Sequence, residues 1–322
     1  MKRSIVTGGT GFVGANLAWR LVKEGQEVHL LVRPRYAPWR IEEIKRDVKL
    51  HEVDLRDADT VERTVNAIRP DWVFHLAAHG AYSSQTDASL MAETNIIGTI
   101  NLVQSCLTTG FEAFVNTGTS SEYGFKSHAP SEEEALEPNS DYAVTKASAT
   151  LFCRHAAQRH EANISTLRLY SVYGAFEEPT RLMPTLIMNG LEGRWPPLAD
   201  PLAAHDFVYV DDVCDAYLLA AAHRGKERGA IYNVGTGRQT TLREVVEVAR
   251  RVLAIEAEPD WNSMQARAWD TKHWAANCEK IRRELGWRAP HTFEQGFTRT
   301  LRWLREHPRM RELYKQMRRD NA

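Results

Sequence analysis

Tyr142-Ala143-Val144-Thr145-Lys146 sets a tyrosine and a lysine four residues apart, on one face of a helix if the segment is helical. An ammonium close to a phenol favours the phenolate and lowers its pKa from about 10 toward neutrality. A tyrosine tuned this way gives a proton to a carbonyl or takes one from a carbinol. The spacing alone arises often by chance, and a core-facing helix tyrosine would show it too. Two neighbouring features add weight. Asn139-Ser140-Asp141 is a turn that would deliver the helix, and Thr117-Gly118-Thr119-Ser120-Ser121 follows an apolar strand. Thr119 is read as the hydroxyl that holds a reacting oxygen beside Tyr142.

A second constellation lies at the start of the chain, in Thr7-Gly8-Gly9-Thr10-Gly11-Phe12-Val13-Gly14. It follows a short strand and opens a helix, which is the setting a dinucleotide loop requires. Gly8 permits the tight turn, Gly11 lets the backbone approach a pyrophosphate, and Gly14 allows close packing of helix on strand. Phe12 and Val13 complete the first helical turn, whose N–H groups and partial positive charge favour phosphate. The second strand, Val28-His29-Leu30-Leu31-Val32-Arg33, has valine where NAD-binding folds place an acidic residue for the ribose. Arginine comes next. Arg33 can fork onto a 2′-phosphate, with Arg35 and Arg40 adding to the pocket, so NADP is expected, with NAD the alternative. Asp54, followed by Leu55, ends the third strand where an adenine ring would lie. A strand-capping aspartate would read the same.

Short β-rich runs at 4–7, 27–32, 49–54, 72–77, 113–116 and 164–169 must carry these residues. Between them lie helical stretches at about 11–23, 60–68, 90–106 and 142–159. Such alternation implies right-handed crossovers and a parallel sheet covered on both faces. After about residue 174, prolines at 179, 184, 196, 197 and 201 break the pattern. Helices return at 212–223, 242–253 and 293–305, and Thr241-Leu242-Arg243-Glu244 reads as a capping box. The expected class is α/β. A doubly wound dinucleotide-binding (Rossmann) part spans 1–173. A smaller mixed substrate-binding part spans 174–322, with segments near 206–236 returning to the first. The site would lie between them.

Composition excludes several classes. Lys and Arg total 41 against 42 Asp and Glu, so the net charge of −1 offers nothing to nucleic acid or an anionic membrane. A basic stretch from Arg302 to Arg319 contains Glu306 and Glu312, and reads as a solvated helical tail. Cys106, Cys153, Cys214 and Cys278 match no metal-ligand spacing, and a reduced, cytoplasmic compartment is expected. The first strand is too short for a secretory h-region, and no apolar run is long enough to span a bilayer.

Taken together, the glycine loop, His75-Leu76-Ala77-Ala78, Asn95-Ile96-Ile97-Gly98-Thr99, Thr119 with Tyr123-Gly124, and Tyr142/Lys146 resemble the motifs of the extended short-chain dehydrogenases. Leu167 to Gly174, Asp206 to Val213 and Tyr232-Asn233-Val234-Gly235 continue the match, which runs from about residue 3 to 305. The family comprises nucleotide-sugar epimerases, 4,6-dehydratases and 4-keto reductases. Val28 to Ile44 is similar to GDP-mannose 4,6-dehydratases, and Ser120 to Gly124 is nearer to GDP-4-keto-6-deoxymannose reductases. The resemblance implies Thr119, Tyr142 and Lys146 as catalytic residues, Leu76, Ala77 and Ala78 against the cofactor, and a homodimer through the helices at about 90–106 and 142–159. It implies a nucleotide-diphosphate sugar as substrate, near Ser120, Ser121, Glu122, Ser171, His205 and Arg267. Two departures stand out. The family's dehydratases place a glutamate two positions after the threonine, where this chain has Ser121 and puts Glu122 one further on. In an extended segment that shift turns the carboxylate to the other face, which disfavours dehydration. Ser171 stands where epimerases carry an asparagine, and His205 where an arginine is usual. Arg267, before Asp270, is placed to supply the charge. The expected reaction is reduction of a nucleotide 4-keto sugar at C4, with 4-epimerisation as the alternative and a non-catalytic NADP-binding regulator as a different class.

Overall fold

Seven strands rich in Val, Ile, Leu and Phe line up in parallel, apolar on both faces because helices cover both. The computed structural model describes residues 1–82, 84–225, 227–264 and 273–320. In chain order the strands are β1 (Arg3–Thr7), β2 (Glu27–Val32), β3 (Val48–Glu52), β4 (Trp72–His75), β5 (Ala113–Thr119), β6 (Ile164–Leu169), β7 (Ser171–Tyr173), β8 (Ala204–His205), β9 (Phe207–Tyr209), β10 (Ile231–Val234) and β11 (Thr240–Thr241). The helices are α1 (Phe12–Lys23), α2 (Ala58–Ile68), α3 (Ala88–Ala92), α4 (Gly98–Thr109), α5 (Asp141–His160), α6 (Leu182–Gly190), α7 (Val210–Ala222), α8 (Leu242–Leu253), α9 (Glu279–Leu285), α10 (Phe293–Glu306) and α11 (Pro308–Arg319).

The main sheet has the order β10-β6-β5-β4-β1-β2-β3. The chain winds outward from β1 to β3 and then returns to β4 on the other side of β1. Loops leaving β1 and β4 therefore diverge, and the crevice between their carboxyl ends is the switch point where such sheets take ligands. One core layer packs α1 and α7 against Val6, Leu30, Phe74 and Val115. The opposite layer packs α2, α4 and α5 against Ile5, Val73, Phe114 and Ile164. A third cluster joins α6, α8, α10 and α11 around Met183, Leu186, Val245, Phe297 and Tyr314.

Three elements depart from the sequence expectation. Residues 182–190 form a helix despite Pro184, because a proline in the first turn lacks only an N–H that would have no partner there. The helix expected over 90–106 begins at Ala88, with Asp87 accepting from Leu90 N at 3.0 Å, and is interrupted by a π-turn at Glu93–Ile97. The basic C-terminal stretch is no solvated tail. It breaks at Pro308, and Tyr314 of α11 is fully buried, donating to the Glu177 carbonyl at 2.6 Å. Its amphipathic spacing was masked by the many arginines on the outer face. The capping boxes are as read for α8, where Thr241 Oγ1 accepts from Glu244 N and the Glu244 carboxylate accepts from Thr241 N.

Candidate active site

The glycine loop sits at the switch point. Gly8 has φ +68°, and a Cβ there would lie 2.7 Å from the Ala77 nitrogen. At Gly14 a Cβ would stand 2.2 Å from the Gly8 carbonyl oxygen. The turn closes through Gly11 N to Gly8 O at 2.9 Å, and no side chain caps the start of α1. The first-turn N–H groups at Phe12, Val13 and Gly14 thus remain available to an anion, as a pyrophosphate cradle demands. Thr7 ties the two diverging loops together. Its hydroxyl oxygen accepts from Leu76 N and Ala77 N, both at 3.1 Å, and meets His75 Nδ1 at 2.7 Å. Ala78 follows in the same loop.

The adenosine end differs from expectation in two ways. Arg33 is exposed beyond β2, but Arg40 is buried and fully committed. It donates to the Phe176 and Thr10 carbonyls at 2.7 and 3.3 Å, pairs with Glu178 at 2.9 Å and lies over the Trp39 ring. It staples the glycine loop to the segment after β7 and cannot serve a 2′-phosphate. Asp54 is likewise engaged. Arg56 grips both its oxygens, and those hydrogen bonds hold the carboxyl below the usual carboxylate range. Leu55 is buried against Gly98. Arg35 is exposed and adopts φ +61°.

At the other side of the crevice, Ser140 caps α5 by accepting from Ala143 N at 3.2 Å, which sets Tyr142 at the helix start. Thr119 is the last residue of β5, and its side chain acts on the Tyr142 hydroxyl. The two hydroxyls are brought together as the sequence implied. The electrostatics are not. Burial pushes the Tyr142 phenol up to about 12, the Glu122 carboxylate adds to the rise, and Arg181 and the Thr119 hydrogen bond pull only partly against it. Lys146 is buried too, its ammonium penalised by burial and supported by Glu122. Its charge also acts on His75, a buried imidazole held neutral near a pKa of about 3, chiefly by burial.

The segment after Thr119 is a 3₁₀ turn, Ser120–Tyr123, and not an extended strand. It sends successive side chains in different directions. Ser121 stays beside Thr119, with the two hydroxyls 3.3 Å apart, while Ser120 lines a small cleft with Tyr170 and Trp274. Glu122 turns into the interior, fully buried and paired with Arg168 at 2.8 Å. Expected among the substrate contacts, it is instead a buried group beneath the site. Thr119-Ser120-Ser121-Glu122 is itself a capping-box spacing, the signal that would have placed it. Ser171 starts β7, just past the carboxyl end of β6, and pairs with Phe207. His205 lies on β8 with its ring against Phe207 and Trp274. Arg267 and Asp270 lie outside the described residues.

Arg181 escaped the sequence reading, and Asn95 entered it only within a family motif, with no role given. Asn95, in the π-turn, bonds His79 through Oδ1 to N and Nδ2 to O, both at 2.8 Å, and donates to Thr145 at 2.9 Å. It thereby locks the loop after β4 to the catalytic helix, a role suited to a helix bulge at a site. Arg181 donates to the Ala81 carbonyl at 2.8 Å, lies over the Tyr82 ring and acts on Tyr142. No local pattern marks Arg181, and Asn95 was legible only through the motif at Asn95 to Thr99.

A switch-point glycine loop facing a Thr/Tyr hydroxyl pair and a buried lysine defines a Rossmann-fold enzyme of the extended short-chain dehydrogenase class. Residues 4–235 match the NAD dependent epimerase/dehydratase family model, and the chain belongs to that family. It is 29% identical to a dTDP-glucose 4,6-dehydratase of Streptomyces griseus over 94% of both chains. A solved UDP-glucose 4-epimerase of Thermus thermophilus, in complex with NAD, superposes with a TM-score of 0.82 at 29% identity, covering 94% of this chain and 99% of that one. The chain spans about half the length (48%) of a trifunctional UDP-glucose 4,6-dehydratase/UDP-4-keto-6-deoxy-D-glucose 3,5-epimerase/UDP-4-keto-L-rhamnose-reductase of Arabidopsis thaliana, 24% identical. These relatives handle UDP and dTDP sugars, not the GDP sugars the local resemblances suggested. No helix among the described residues is long and apolar enough to cross a membrane.

Proposed function

We propose that the protein interconverts nucleotide-diphosphate sugars epimeric at C4, with NAD as resident cofactor. The carrying observation is the chemistry of the turn after β5. Thr119 and Ser121 offer hydroxyls beside Tyr142, and Glu122 is sequestered on Arg168, so no carboxylate of that turn faces the reacting sugar. Dehydration requires a base for the C5 proton, whereas epimerisation needs only a proton relay at the C4 oxygen. The solved Thermus thermophilus UDP-glucose 4-epimerase is in complex with NAD, and the glycine loop of this chain with its uncapped helix start suits a pyrophosphate. Gly8, Gly11, Phe12, Val13 and Gly14 would hold that pyrophosphate, with Asp54, Leu55 and the loop Leu76-Ala77-Ala78 along the rest of the dinucleotide. When bound, the nicotinamide supplies the hydride acceptor and donor.

The chain's own residues do the remainder. Tyr142 takes the proton of the C4 hydroxyl and returns it to the C4 oxygen. Thr119 holds that oxygen in line with Tyr142, and Lys146 supplies positive charge under the phenol. Ser171 and His205 lie where the diphosphate would pass, and Ser120 and Ser121 toward the sugar.

Net reduction of a nucleotide 4-keto sugar with NADPH is the second reading, and Arg33 favours it. The arginine is exposed at the end of β2, where Val32 stands in place of an acidic residue. A Tyr142 phenol pushed up to about 12 also suits an acid better than a base. The test is to incubate the protein and NAD with UDP- and dTDP-hexoses in D₂O and follow C4 by NMR. Appearance of the C4 epimer without deuterium at C5 or C6 is expected, and Tyr142→Phe should slow it about 10²- to 10⁴-fold. Deuterium at C5, or turnover only of 4-keto sugars with NADPH, would overturn the reading.

A further inference from the structure

Glu122 is a fully buried carboxylate held by three donors directly beneath the reacting groups. One carboxylate oxygen accepts from the Thr119 backbone N–H at 2.9 Å and from Thr150 Oγ1 at 3.0 Å, and the other accepts from Arg168 Nε at 2.8 Å. Arg168 is also buried. Its Nη1 donates to the Tyr123 hydroxyl at 2.8 Å, which donates in turn to Asn233 Oδ1 at 2.8 Å. Space around the pair is tight, since a Cβ at Gly118 would stand 2.7 Å from the Glu122 carboxylate. Burying an ion pair seldom stabilises a protein more than a well-packed apolar pair would. Stability alone is therefore a weak reason for this one, and its location gives a better reason.

We propose that Glu122 is a positioning residue for proton transfer at Tyr142: locked by Arg168 and Thr150, it anchors the Thr119 backbone and supplies the negative charge that sustains the buried Lys146 ammonium. The proposal rests on the reading of Tyr142 as acid and base. Two geometric facts support it. Thr119 is held by Glu122 at its N–H, 2.9 Å away, and its hydroxyl lies 3.3 Å from Ser121 Oγ and accepts from Ser121 N. Only Ser120 and Ser121 separate Thr119 from Glu122 in the 3₁₀ turn, and the Glu122 carboxylate closes that turn onto the Thr119 N–H, so movement of Glu122 moves Thr119. The charges agree with this assignment. Lys146 is faced by Glu122 from the 3₁₀ turn, by Cys153 on α5 and by His75 at the end of β4, and of these only Glu122 is a carboxyl group. Tyr142 is faced by Glu122, Arg181, Tyr82 and Tyr217.

The test uses Glu122→Gln, which keeps an oxygen for the Thr119 N–H and removes the charge. The double variant Glu122→Gln/Arg168→Met removes the partner charge as well and guards against misfolding. The first readout needs no substrate. Lys146 is followed through a pH titration by its ¹³Cε resonance in lysine-labelled protein, assigned by its loss in Lys146→Arg. Its midpoint should fall by roughly one pH unit in Glu122→Gln, and by less in the double variant, which removes one charge of each sign. The second readout is turnover of the C4 epimer, which should drop about tenfold or more in kcat with KM within about twofold. An unmoved Lys146 midpoint in folded Glu122→Gln would overturn the proposal, and so would a loss confined to KM in either variant. A shifted midpoint in a protein that epimerises no sugar would support the charge linkage and count against the epimerase reading alone.

Discussion

Glu177 offers a sharp test of the electrostatics of the segment that joins the two halves of the site. It lies just after β7, 7% exposed, and its Oε2 has no hydrogen-bond partner among the described residues. Burial pushes its carboxyl up to about 8 from 4.5, with Arg181, the Gly174 N–H and Arg40 each pulling down by less. A group with a raised folded pKa contributes its full stability below the unfolded value and loses it as pH rises to the folded one. The window here runs from 4.5 to about 8. The gap corresponds to at most about 5 kcal/mol, and relaxation or water entry would bring it nearer 2 kcal/mol. Glu177→Gln keeps the shape and the neutral form, so it removes this cost at high pH only. Thermal melts of parent and variant at pH 5 and pH 9 make the measurement. The variant should be close to the parent at pH 5 and melt roughly 3 °C higher at pH 9. An identical offset at both pH values would refute the assignment of a buried, largely uncompensated carboxyl.

Other outcomes follow from single contacts. Gly14→Ala should abolish dinucleotide binding in a fluorescence titration, because its Cβ would stand 2.2 Å from the Gly8 carbonyl; unchanged affinity would contradict the tight loop. Arg33→Ala should weaken NADPH by about 1.5–3 kcal/mol and leave NADH little changed if Arg33 meets a 2′-phosphate, while equal effects on both would remove the NADPH reading. Tyr314→Ala should cost about 3–5 kcal/mol in a denaturant melt, since a fully buried ring and its hydrogen bond to Glu177 are lost. A cost near zero would return α11 to the status of a solvated tail.

Much of the frame was legible in the residues. The glycine spacing after an apolar run, the Ser140 cap and the Tyr142/Lys146 spacing are local features, set by backbone geometry within a few residues. So are the strand and helix alternation and the Thr241 capping box. What tertiary structure decided is where burial and long-range partners intervene. The phenol of Tyr142 was expected to be lowered by Lys146, but desolvation and Glu122 raise it, and neither is written in the spacing. Arg40 reads as a phosphate ligand from its neighbours, yet it is consumed by Phe176, Thr10 and Glu178, two of them about 136 or more residues away. Glu122 reads as a site residue on an extended strand, yet a 3₁₀ turn sends it onto Arg168 of β6. Asn95 and Arg181 join the site only because the crossovers bring their elements to the carboxyl end of the sheet. Spacing determines what one helix or turn presents. Which charges survive burial depends on partners that only the folded sheet brings within reach.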